Sequence, residues 1–104
     1  MLSDELKKRF DEETKTHKVV VYMKGNALFP RCGFSAKAVE VLKPFGPVFA
    51  VDVLAEPELR DAIKQYSNWP TIPQVFINGK FVGGSDIVTE LAQRGELEAL
   101  IKGS

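Results

Sequence analysis

Helical and extended segments take turns along this chain at intervals that leave room for little besides one small sheet with helices packed against it. SDELKKRFDEETKTH, residues 3–17, sets Leu6 and Phe10 on one face behind Ser3 as a cap, and KVVVYMKG then reads as a buried strand closed by glycine. GFSAKAVEVLKPF carries Ala36, Val39 and Leu42 at helical spacing and stops near Pro44, and PVFAVDV is a second strand. EPELRDAIKQYS places Leu59, Ile63 and Tyr66 on one face with Pro57 in the first turn. PQVFINGKFVGG offers two apolar runs about Asn78-Gly79, the strongest short-range hairpin signal. SDIVTELAQRG and ELEALIKG close the chain as helices ended by glycine. The order αβαβαββα predicts an α/β fold, a four-stranded mixed central sheet with helices on both faces, in which the first two strands are parallel and the last two form a hairpin.

At 104 residues the chain is long enough to bury one core, and residues 1–104 are expected to form a single domain. Fourteen basic and fourteen acidic residues cancel, so no field of one sign draws in nucleic acid or an anionic membrane, and neither is expected as a partner. No apolar run approaches the ~20 residues of a membrane span. A single cysteine cannot close an internal disulfide, so the chain is expected in a reducing intracellular compartment.

That cysteine, Cys32, falls where the loop NALFPR gives way to the helix GFSAKAV, at the end of the first strand. Unpaired backbone N–H groups and the helix dipole stabilise an anion at such a point, and the thiolate is the form that attacks disulfides and binds metal. The plainer alternative is a small buried hydrophobe. Pro30, Arg31 and Gly33 favour the reactive reading, because they suit a tight, partly exposed turn with a cation nearby.

Thr71-Ile72-Pro73 enters a strand at a residue that cannot donate to a ladder. A cis Ile72-Pro73 bond would present the Ile72 backbone to an extended peptide, whereas a trans proline in a loop is the commoner arrangement, and the residues alone leave both open. His17, the sole histidine, reads as a solvated linker residue and gives no zinc signal. Trp69 is expected to pack beside Pro70, and Phe34 to stand over the thiol.

CGFS preceded by MKG and followed by WPTIPQVFINGKFVGGSD resembles the monothiol glutaredoxins, over about Val19 to Ile101, with separate blocks in the family's order. The resemblance implies a thioredoxin-like fold and a cis Pro73. It departs from the family's usual pattern at Asn26-Ala27, where relatives carry Thr-Pro, and at Ser85, where many carry a second cysteine.

Dithiol relatives have a second cysteine where this chain has Ser35, so release of a mixed disulfide needs a thiol from solution. Iron-sulfur clusters take about four thiolates, and two copies of this chain offer only two. A low-molecular-weight thiol such as glutathione, or a conjugate of it, would fill the deficit. The resemblance accordingly implies a [2Fe-2S] cluster bridging two subunits through Cys32 and two glutathione sulfurs, with apo iron-sulfur proteins as clients. The protein would be a homodimer when cluster-bound and a monomer when apo, since the patterning leaves no large apolar face. The alternative is a glutathione-dependent oxidoreductase acting on glutathionylated proteins with Cys32 as the catalytic thiol. Taken singly, Lys24 and Arg60 are most simply solvated charges; at the matched family positions they are expected to hold the glycine carboxylate of glutathione. Ile72 would offer its backbone to the cysteinyl unit, the N–H groups of Gly84, Ser85 and Asp86 would cradle the γ-glutamyl carboxylate, and the Asp86 side chain would meet the ammonium. In a eukaryote the family resemblance points to the mitochondrion, after removal of any transit peptide, and in a bacterium to the cytoplasm.

Overall fold

The computed structural model describes residues 2–103. Helix α1 (Asp4–Thr16) leads into β1 (Val19–Met23), α2 (Gly33–Leu42) with a 3-10 turn at Lys43–Phe45, β2 (Phe49–Asp52) and α3 (Pro57–Ser67). The hairpin β3 (Gln74–Ile77) and β4 (Lys80–Gly83) follows, then α4 (Ser85–Gln93) and α5 (Leu97–Lys102). The sheet order is β2-β1-β3-β4, with β1 parallel to β2 and the other neighbours antiparallel. This is the mixed four-stranded architecture expected from the sequence.

All five residues of β1 are buried, which explains an apolar run without alternation: both faces of the sheet are covered. Val19, Val21 and Met23 enter one layer with Ala38 and Leu42 of α2, Val88 of α4 and Ile101 of α5. Val20 and Tyr22 enter the other with Phe10 of α1, Leu59 and Ile63 of α3, and Phe76. α1 starts at the anticipated cap, where the Ser3 hydroxyl accepts the Leu6 N–H at 3.1 Å. The hairpin turns through Asn78 at φ 52° and Gly79 at φ 81°, left-handed values that favour Asn and Gly. The Asn78 amide also donates to the carbonyls of Leu100 and Ile101, tying the end of α5 to the hairpin.

Two local expectations shift. The inward face of α2 is Ser35, Ala38, Val39 and Leu42, and Ala36 is only half-buried, because α4 covers the helix in addition to the sheet and widens the buried stripe. His17 is not a free linker residue: its ring stacks on Phe49 of the edge strand β2, with centroids 3.8 Å apart and planes 5° from parallel. The Ile72-Pro73 bond is cis, and the β1-β3 ladder begins one residue later, at Gln74.

Candidate functional site

Cys32 occupies the N-cap of α2 in an extended conformation, φ −147° and ψ 135°, and is half-exposed. An N-cap side chain ordinarily accepts the N–H of the second or third helical residue, here Phe34 or Ser35. The thiol makes no such bond, but once ionised it faces both donors. Its pKa is held below the ordinary thiol value, first by the Ser35 backbone N–H, against the opposing effect of partial burial, and further by the Phe34 N–H, the charge of Lys24 and the Ser35 hydroxyl. The cation that favours the thiolate is therefore Lys24, at the end of β1, and not the sequence neighbour Arg31 that the loop composition pointed to.

Ser35 is fully buried, and its hydroxyl accepts the Lys24 N–H at 3.1 Å. The hydroxyl thus ties the end of β1 to the first turn of α2 from the position a resolving thiol takes in dithiol relatives. Ser35→Cys should let a local disulfide with Cys32 form and raise disulfide-reductase activity by roughly tenfold or more, since intramolecular release replaces a bimolecular step. It should also cost about 1 kcal/mol in thermal unfolding, because the Lys24 N–H loses a good acceptor. Reductase activity equal to that of the parent would mean that the missing thiol is not what limits the chemistry.

The loop between Lys24 and Cys32 is held by its own polar groups. Asn26 Oδ1 accepts the N–H groups of Leu28 at 3.0 Å and Phe29 at 2.8 Å, an Asx turn that gives the loop a defined shape at a position where Thr-Pro is usual. Gly25 has φ +88°, and a Cβ there would lie 2.5 Å from the Phe29 carbonyl oxygen, so only glycine fits. The Gly25 N–H donates to Asp52 at 3.1 Å, fixing the loop to the end of β2.

A groove of about 490 Å³ runs beside the thiol. Lys24 and Arg60 stand among its lining residues, as do Trp69 to Pro73 and Gly84 to Asp86. The structure so gathers Lys24, Arg60, Ile72, Gly84, Ser85 and Asp86 around one hollow, with Phe34 joining it to the surface around Cys32. Gly84 is the N-cap of α4 without a side-chain cap, leaving first-turn N–H groups available at the groove wall. A Cβ at Gly84 would come within 3.3 Å of the Pro73 carbonyl oxygen, so helix and proline approach closely. Trp69, expected to pack, tilts against Phe81 with centroids 5.6 Å apart and remains 40% exposed at the groove.

Sequence patterning singled out Phe34 at this end of the molecule and missed the rest of an apolar rim. Leu28 is 79% exposed, Phe29 73% and Phe34 64%. Leu28 and Phe29 sit in a short loop with no periodicity to mark their direction, so only the folded Asx turn shows that they point outward. Among the described residues no group of three His, Cys, Asp or Glu side chains could enclose a metal ion. The chain offers one thiol, half-exposed, and the space beside it is open: a Cβ on Gly33 would meet no atom within 4 Å. That donor set fits a metal centre completed by ligands from outside the chain.

A sheet with helices on both faces, an N-cap thiol and a cis proline define a thioredoxin-like protein with a one-cysteine site. The chain belongs to the glutaredoxin family: the family profile Glutaredoxin matches residues 19–82, and the named relatives are monothiol glutaredoxins. It is 52% identical over 102 residues to a ycf64-like monothiol glutaredoxin of Synechocystis sp., covering 97% of this chain and 95% of that one. It is 47% identical to monothiol glutaredoxin-S4, mitochondrial, of Oryza sativa, over 86% of this chain but only 49% of the length of that relative. The solution structure of reduced poplar apo GrxS14 superposes with a TM-score of 0.83 at 44% identity, covering 93% of this chain and 90% of that one.

Proposed function

We propose that this glutaredoxin carries a [2Fe-2S] cluster, held between two copies of the chain by their Cys32 thiolates and by the sulfurs of two glutathiones, and passes it to apo-proteins. The observation that carries this reading is the single half-exposed Cys32, set up as a thiolate, with a buried serine hydroxyl in place of a second thiol. Membership of the glutaredoxins implies glutathione as the small thiol, and the groove supports it. Lys24 and Arg60 suit the glycine carboxylate, Ile72 the cysteinyl backbone, and the α4 N-terminus with Asp86 the γ-glutamyl end. The cluster is cargo, so a site open to solvent and only half supplied by the protein suits a carrier that must also let go. Reducing surroundings follow from the chemistry, in a mitochondrion or in bacterial cytoplasm, and a mitochondrial relative fits the former.

Anaerobic reconstitution with iron, sulfide and glutathione, read by visible absorbance and size-exclusion mass, tests the proposal. The expected result is a coloured dimer that reverts to a colourless monomer when iron is chelated. Reconstitution that leaves the protein colourless would contradict it. A second reading has its own support in the lowered pKa of Cys32: a nucleophilic thiolate beside a glutathione groove suits attack on glutathionylated proteins, with a second glutathione from solution releasing the mixed disulfide.

A further inference from the structure

Behind the groove lies a residue that no site chemistry has yet used. Gln74, the first residue of β3, is fully buried, and its Nε2 donates to the carbonyl oxygens of Trp69 at 3.0 Å and Thr71 at 3.2 Å. Its Oε1 is buried without a partner. The amide is oriented by these contacts, because turning it over would set its oxygen against two carbonyl oxygens. With its acceptor unpaired and both donated bonds made to one loop, the side chain acts on that loop.

We propose that Gln74 is a positioning residue for the glutathione groove. By drawing the Trp69 and Thr71 carbonyls inward, it fixes the wall from which Thr71 and Ile72 face the ligand. The loop's other polar restraints all run back to α3: Asn68 caps the helix in the left-handed region, and the Trp69 N–H bonds back to the Lys64 carbonyl and the Ser67 hydroxyl. Thr71 lies outside both helix and sheet, and beside the Trp69–Phe81 ring contact and the packing of Ile72 on the core, Gln74 is the hydrogen-bonded tie between this segment and the strand behind it. Pre-ordering a wall that the ligand would otherwise have to order itself is a gain in affinity without a contact to the ligand.

The inference rests on the reading of the groove as a glutathione site, and its test separates the two. Gln74→Met removes both donors at similar volume, and Gln74→His keeps one ring N–H to donate. Calorimetric titration with reduced glutathione should give a dissociation constant about tenfold weaker for Gln74→Met, with Gln74→His between it and the parent. In the absence of glutathione, exchange of the Trp69 amide, which bonds to the Lys64 carbonyl and the Ser67 hydroxyl, should quicken in the same order, while Val75 and Phe76 keep their protection. The pH profile of Cys32 alkylation should not move, which a general loosening of the fold would not allow. Failure of the parent to bind glutathione would overturn the groove reading, and the exchange rates would still judge Gln74. A Trp69 amide as protected in Gln74→Met as in the parent would overturn the role of Gln74.

Discussion

Cys32→Ser should abolish cluster binding and leave the fold intact or slightly firmer. The sulfur is half-exposed at the start of α2 and fills no cavity, so its loss opens none. Serine is a preferred N-cap residue, and its hydroxyl can accept the Ser35 N–H that the thiolate faces; a gain of up to about 1 kcal/mol is the most that capping should bring. As a ligand, however, a serine hydroxyl stays protonated near neutral pH, while iron in such clusters is held by thiolates. Each copy of the chain would contribute only one sulfur, so the substitution would remove every protein ligand at once. Reconstitution should give no visible absorbance at any glutathione concentration, with a melting temperature at or above that of the parent. A Cys32→Ser protein carrying a cluster at full occupancy would sink the assignment of the site.

Lys24→Ala and Arg60→Ala should each weaken glutathione binding by roughly tenfold and shorten cluster lifetime more steeply than that. A charge-assisted hydrogen bond to a carboxylate contributes about 1.5–3 kcal/mol when desolvated, and less for an exposed side chain such as Arg60. About 1.4 kcal/mol corresponds to one decade of affinity. Because a shared cluster would engage two glutathiones, the loss enters twice when the thiol is limiting. Excess glutathione should rescue both variants and should not rescue Cys32→Ser. The two cations differ in one respect. The Lys24 charge also favours the Cys32 thiolate, so Lys24→Ala should raise the pH at which alkylation by iodoacetamide reaches half its maximum. Decay of cluster absorbance, followed against glutathione concentration, separates these outcomes. Curves for both variants that overlay the parent would return Lys24 and Arg60 to the status of ordinary surface charges.

The parts of the fold that could be read from the sequence are those whose signal is local. Unbroken burial of β1 appears as VVVYM, the hairpin as Asn78-Gly79, and the α1 cap as Ser3, each within a few residues. The thiol at a helix start was legible for the same reason, since the change from a loop to a helical period falls at Cys32. The gathering of Lys24, Arg60, Ile72 and Gly84 around one groove could not be read from spacing, because it depends on the sheet order; only the resemblance to a family anticipated it. What stayed hidden was set by contacts across the fold. The Ser35 hydroxyl meets the Lys24 N–H, and the Gln74 amide reaches back under the preceding loop. His17 finds Phe49 on the far side of β1 in sequence, and a polar segment gives no hint of a ring partner. Leu28 and Phe29 point outward because Asn26 turns the chain beneath them, a choice of direction that composition cannot carry.

The central claim is that glutathione supplies half the sulfur ligands of a cluster shared by two chains. Native mass spectrometry of the anaerobically isolated cluster-bound protein weighs that claim directly, because it reads chains, iron, sulfide and glutathione in one assembly. The account predicts a dimer whose added mass equals one [2Fe-2S] cluster and two glutathiones, and a single glutathione-free chain once iron is removed. A cluster-bound species without glutathione, or one holding the cluster on a single chain, would contradict it.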